Sequence, residues 1–216
     1  MENLIQTLAI SFLPVVLAIT LHEAAHGYVA RALGDDTAER EGRITLNPLR
    51  HIDPWGTVLL PLLLHVLTAG KFVFGYAKPV PVNAARLDNP RRDMVWVALA
   101  GPMSNLFQAI FWGLMLKIVW VVEPMEYSLL FAAISRAGIL INLVLMVLNL
   151  LPILPLDGGR ILAGLLPISL AREFANFERF GFMILLGLMF SGLLGQWMAP
   201  LVSFSDRLLL AVLNLY

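Results

Sequence analysis

Cysteine is absent from the 216 residues, which removes disulfides, thiolate metal sites and cysteine nucleophiles together. Any metal centre must then be built from His, Asp or Glu. Charge is scarce as well: Asp, Glu, Lys and Arg make up 14% of the chain, against about 25% in soluble domains. Fifteen basic residues balance fifteen acidic ones, so bulk electrostatics imply no nucleic-acid partner. No Pro/Gly/Ser-rich linker, low-complexity tract or internal repeat divides the sequence, and residues 1–216 are expected to form a single domain. The start, Met1-Glu2-Asn3, lacks the basic region and cleavage site of a secretory signal and is expected to lead into a retained span.

Apolar residues are what the chain has in excess: 59%, against roughly 45–50% in soluble domains. Residues 4–33 would make a helix longer than a hydrocarbon core of about 30 Å. Residues 94–122 and 127–151 read as a helical hairpin joined by Glu123-Pro124-Met125-Glu126, and 180–198 reads as a further span, with 201–216 a last span or an interfacial helix. Residues 55–69 are short, apolar and interrupted by Pro61, as in a re-entrant segment. Residues 43–46 and 71–83 look extended, the latter because Val, Phe and Tyr favour strands while Gly75, Pro79 and Pro81 oppose helix.

The expected fold is therefore an all-α membrane protein. It is a polytopic bundle of about five to six transmembrane helices, with a short re-entrant or β-containing segment between the first two core helices. Arg31, Arg40, Arg43, Arg50, Lys71, Lys78, Arg86, Arg91 and Arg92 concentrate between the first long helix and the second, which puts that region on the cytoplasmic side.

Chemistry concentrates in His22-Glu23-Ala24-Ala25-His26, an HExxH pattern. On a helix the two His are about 40° apart around the axis and one turn apart along it, so both imidazoles reach one metal. Glu23, flanking them, suits a general base rather than a ligand. Ionisable side chains inside an apolar span cost at least roughly 2.5–3.5 kcal/mol when charged at the centre, and a metal ion is the simplest compensation. A catalytic zinc needs a third protein ligand, for which Asp157, Asp53, His51 and His65 are available. Asp157 is preferred on depth, since it follows the cytoplasmic end of 127–151. Asp53 before Pro54 reads as a turn residue, His51 as solvated and His65 as cavity-lining.

HEAAH in an apolar helix, NPLRHIDPWGT from Asn47, GYAKPVPVN ending at Asn83, AGPMSN from Ala100 and NLLPILPLDGG from Asn149 together resemble, in order, the motifs of the site-2 protease family of intramembrane zinc metalloproteases. The resemblance covers most of residues 20–160 and is to a minimal form without PDZ-like or regulatory domains. It implies a Zn2+ cofactor, Asp157 as third ligand and Asn149 near the active site. Asn149 is then a substrate or oxyanion contact, or else a helix-end hydrogen bond. Gly101-Pro102 reads as a packing contact or kink, and Asn105 as satisfying backbone freed by Pro102. The catalytic core is expected over about 4–160, with additional C-terminal helices over 161–216.

The activity implied is zinc-dependent endoproteolysis in or near transmembrane segments of protein substrates, within the lipid bilayer, in regulated intramembrane proteolysis. The alternatives are a membrane metal transporter with an intramembrane His/Asp site, which would need several such sites along a path, and an inactive helix-binding scaffold.

Overall fold

A computed structural model describes residues 2–59, 63, 75, 77–122 and 127–215. The protein is all-helical, as expected, and no strand occurs among the described residues. Helix α1 (Glu2–Ala32) is 31 residues long, roughly 46 Å at 1.5 Å per residue, and carries both His and the Glu of HExxH. It ends where Gly34 takes φ +103°, a left-handed conformation that glycine adopts without steric cost. A short helix α2 (Thr37–Arg40) follows, then a 3-10 turn at Pro48–Arg50 capped by Asn47 and a π-helical turn at Pro54–Leu59. Asp53 Oδ1 accepts the Trp55 and Gly56 N–H groups at 3.0 and 2.7 Å, the turn role expected of it.

The expected strand at 43–46 is replaced by bends. The Arg43 side chain turns inward, buried, and donates to the Lys78 carbonyl at 2.8 Å. Of the expected extended stretch 71–83, residues 77–83 run without helix and 71–74 and 76 lie outside the described residues; Lys78 N–H donates to the His51 carbonyl at 2.9 Å. Pro79 and Pro81 have no N–H to offer a ladder, which is why extended character does not become a sheet. The expected re-entrant stretch 55–69, and His65 within it, lie largely outside the described residues.

Two long helices form the centre: α3 (Pro90–Val121) and α4 (Ser128–Asn149), packed on each other and both on α1. Beyond them come α5 (Asp157–Leu165), α6 (Ile168–Asn176), α7 (Glu178–Phe190) and α8 (Leu193–Val212). The larger core joins Ala109, Trp112 and Leu116 of α3 to Ile139, Leu143 and Val147 of α4 and to Val202 and Leu209 of α8. Gly138 is where the Trp112 indole crosses α4, and a Cβ there would overlap it.

α1 (over Gln6–Ala32), α3 and α4 are long and apolar enough to cross a membrane. α7 and α8 pass that test only as a pair, bent by 81°. The break falls at Ser191–Gly192, with Gly192 at φ +77°, inside the stretch 180–198 expected as one span, and α8 continues through Pro200 into the expected 201–216. Leu8, Phe12, Phe107, Phe111, Leu129 and Phe131 are exposed, as lipid-facing side chains are. Arg136, within α4, is paired bidentately with Asp206 of α8 at 2.5 and 2.6 Å, so the charge in the span is not left alone.

Asp35 fastens the end of α1 to the 83 segment. One carboxylate oxygen accepts the Thr37 N–H and hydroxyl at 3.0 and 2.5 Å, and the other accepts the Asn83 N–H at 2.6 Å. Burial works against its ionisation, but these bonds outweigh it and lower its pKa. A depressed carboxylate pKa stabilises the fold above the unfolded value near 4 and loses that contribution as pH falls through the folded one. Asp35→Ala is expected to cost about 2–3 kcal/mol at neutral pH, from bonds to a charged group. In detergent melts the gap from the parent should narrow below about pH 4; a gap unchanged at pH 2 would contradict this role.

Candidate metal centre

His22 and His26 stand one turn apart on α1, both buried, with their Nε2 atoms 3.1 Å apart. Each ring is held from behind. His22 Nδ1 donates to Asn105 Oδ1 at 2.6 Å and His26 Nδ1 to the Val97 carbonyl at 2.7 Å, both acceptors on α3. A carbonyl oxygen can only accept, so the proton sits on Nδ1 and the Nε2 lone pair faces the space between the rings. Asn105 is itself pinned, its Nδ2 donating to Asn142 Oδ1 at 3.0 Å, while Asn142 donates to the Gly138 carbonyl at 2.9 Å.

Asp157 comes from the other side as the first residue of α5. Its Oδ2 lies 3.2 Å from His22 Nε2 and 3.4 Å from His26 Nε2, buried and, among the described residues, without a well-aligned hydrogen bond. Burial disfavours its charge, but the adjacent imidazoles more than offset this and hold its carboxyl well below the usual range, which keeps it ionised, the form able to bind a metal ion. The two glycines after it permit this placement. A Cβ on Gly158 would strike the Leu150 and Leu151 carbonyls, and one on Gly159 would lie 2.5 Å from the Leu154 nitrogen.

These three donors suit a metal ion. At ordinary Zn–N and Zn–O lengths a tetrahedral site sets its donor atoms roughly 3.3–3.5 Å apart, close to the separations found. A second observation agrees: a Cβ built on Gly101 of α3 would lie 2.5 Å from His22 Cε1 and from His26 Nε2. Glycine therefore leaves open the space beside the two Nε2 atoms that an ion needs. Among the described residues this is the single group of three or more candidate ligands, whereas a transporter path would need several.

Glu23, one position on from His22, reaches the 77–83 segment, where its Oε2 accepts the Val80 N–H at 2.9 Å. Asn149 donates through Nδ2 to the Leu145 carbonyl at 3.0 Å, the helix-end bond that was one of its two readings. His51 is not solvated as expected: it is 2% exposed and lies outside the ligand group. The sequence reading gave Gly101 and Asn105 only packing or backbone roles. They lie one turn apart on α3, and nothing local signals that Asn105 meets a partner 83 positions away. Val97 contributes a backbone carbonyl, for which its side-chain identity gives no clue.

Asn105→Leu removes the acceptor behind His22 while keeping side-chain volume. Loss of such outer support typically costs 10–100-fold in metal affinity or activity. The expected result is zinc release at about that much lower chelator strength, with the fold retained. Unchanged zinc retention would assign Asn105 to packing alone.

The sequence pattern of peptidase family M50 matches residues 117–192, a stretch that includes Asp157 but not HExxH. Longer likenesses reach both. YwhC of Bacillus subtilis, named as a zinc metalloprotease, is 42% identical over 190 residues, covering 86% of this chain and 79% of YwhC. Rip2 of Mycolicibacterium smegmatis, also so named, is 31% identical over 190 residues, covering 87% and 69%. Rip2 of Mycobacterium tuberculosis H37Rv is 32% identical over 182 residues, covering 84% and 67%. No solved structure matches the chain. With zinc as the metal in the names of these relatives and a three-residue group here able to hold it, the chain belongs to peptidase family M50, the site-2 protease family of zinc metalloproteases.

Proposed function

We propose that this protein hydrolyses peptide bonds in or near transmembrane segments of other membrane proteins, in regulated intramembrane proteolysis. His22, His26 and Asp157 hold the zinc, and Glu23 is the general base. The observation that carries the reading is the position of the ligand group: two of its three members lie inside the apolar span Gln6–Ala32. A protease site at that depth meets membrane-embedded chain, not soluble protein.

Zinc, when bound, supplies a Lewis acid that lowers the pKa of water and polarises the scissile carbonyl. The protein's own residues do the rest. Glu23 takes a proton from the attacking water at a carboxylate oxygen and passes it to the leaving amine. The Val80 N–H, bonded to Oε2, steadies the carboxylate and leaves Oε1 for that transfer. For Asn149 to contact substrate or oxyanion, its amide must let go of the Leu145 carbonyl. The whole chain, 1–216, acts as one domain. The basic residues between α1 and α3 favour an active site toward the cytoplasmic side of a prokaryotic plasma membrane.

The test is reconstitution in liposomes with a single-span protein substrate. Cleavage should stop with a zinc chelator and return with added zinc. Cleavage indifferent to chelation would defeat the reading.

A further inference from the structure

A groove of about 630 Å³ runs along α1, lined on the helix by Leu8, Phe12, Val16 and Ile19 and opposite it by Leu49 and Ile52 of the 48–52 turn. At 100° per residue, those four α1 positions fall within about 40° of the Phe12 direction, and Glu23 falls within about 20° of it. Glu23 is thus the next residue on the face that the groove follows, about 16 Å beyond Phe12. The groove therefore follows the same face of α1 that carries Glu23 further along.

His51 also lines this groove. Its Nε2 meets the Thr45 carbonyl at 2.9 Å, so the proton belongs on Nε2 and Nδ1 is left as a lone-pair acceptor. Among the described residues the buried Nδ1 has no hydrogen-bond partner, although buried polar atoms are nearly always paired. An acyl chain has no N–H to give it, and an intact helix keeps its N–H groups for its own carbonyls. A helix that ends or unwinds sets free up to four N–H groups. The occupant that satisfies both the apolar walls and Nδ1 is an apolar helix unwinding at this end.

We propose that this groove is the docking subsite for the substrate's transmembrane segment, and that His51 Nδ1 accepts a backbone N–H released as that segment unwinds before Glu23. The proposal rests on the protease reading above and adds where the substrate lies and which residue receives it.

The chain's lack of cysteine makes placement directly testable in liposomes. In a Glu23→Gln background, Phe12→Cys should form disulfides with a substrate carrying single cysteines along its span, in a period of three to four residues. Phe107→Cys, on an exposed face of α3, should form few. Equal yields from both, or none from Phe12→Cys as when lipid alone fills the groove, would overturn the proposal.

Kinetics give the second arm. The ratio of kcat/KM for a single-span substrate to that for a short, already extended peptide should fall about tenfold in Ile19→Trp. In His51→Gln, which keeps a distal donor for Thr45, it should fall roughly three- to tenfold, the size of one hydrogen bond. A ratio unmoved in both variants counts against the groove. If the unmodified protein cleaves neither substrate, the protease reading fails instead, and the disulfide pattern still decides where the segment docks.

Discussion

Glu23→Gln should keep its full zinc content while cleavage of a single-span substrate falls by about 10²–10⁴, the usual contribution of a positioned general base. The two results separate because Glu23 is not in the ligand group formed by His22, His26 and Asp157. Glutamine retains an oxygen to accept the Val80 N–H, as Oε2 does, so the segment beside it has no reason to move. What it loses is the ability to take a proton. Zinc measured per protein, together with turnover in liposomes, checks both halves. Undiminished turnover would remove Glu23 from the mechanism, and loss of zinc would make it a structural support of the site.

A second large effect is expected from the smallest substitution available. Inside a helix, Gly→Ala ordinarily stabilises by about 0.8–1 kcal/mol, and Gly101 lies in the interior of α3. Its Cβ would, however, come within 2.5 Å of His26 Nε2 and 2.6 Å of His22 Nε2, inside the space that an ion on those atoms requires. Gly101→Ala should therefore lose zinc and at least about a hundredfold in activity, since displacements near 1 Å in an active site cost on that order. The metal-free protein should melt below the parent, because the methyl group also crowds the two rings themselves and overpacking costs typically about 1–3 kcal/mol, more than the helix gain. Metal analysis paired with melting after chelation reads the two effects apart. Normal zinc content in this variant would show that the rings yield to the methyl group and that glycine is not required there.

Both effects turn on one difference between residues that face each other along the chain and residues that face each other across it. His22 and His26 are set by helix periodicity, so their convergence was legible from spacing alone. The hairpin of α3 and α4 was legible from apolar length. Asp157 was reachable too, because membrane depth places it level with the His pair and Leu-Asp-Gly-Gly carries its own resemblance. The bends at 43–46 were not legible: β-favouring residues occur there, but burial of Arg43 against the Lys78 carbonyl decides the conformation. The break between α7 and α8 likewise falls at Gly192, in a left-handed conformation, inside the stretch 180–198 that hydropathy reads as one span.

By itself, then, the sequence determined the membrane class, the long helices and the HExxH pair, because hydropathy and a 3.6-residue period are local properties. The tertiary structure alone decided that Gly101 clears the space beside the imidazoles, that Asn105 and the Val97 carbonyl aim them, and that His51 is buried with one nitrogen unpartnered among the described residues. Those roles depend on which helix faces cross. Backbone carbonyls, missing side chains and unpaired lone pairs have no signature until the crossing helices bring them together.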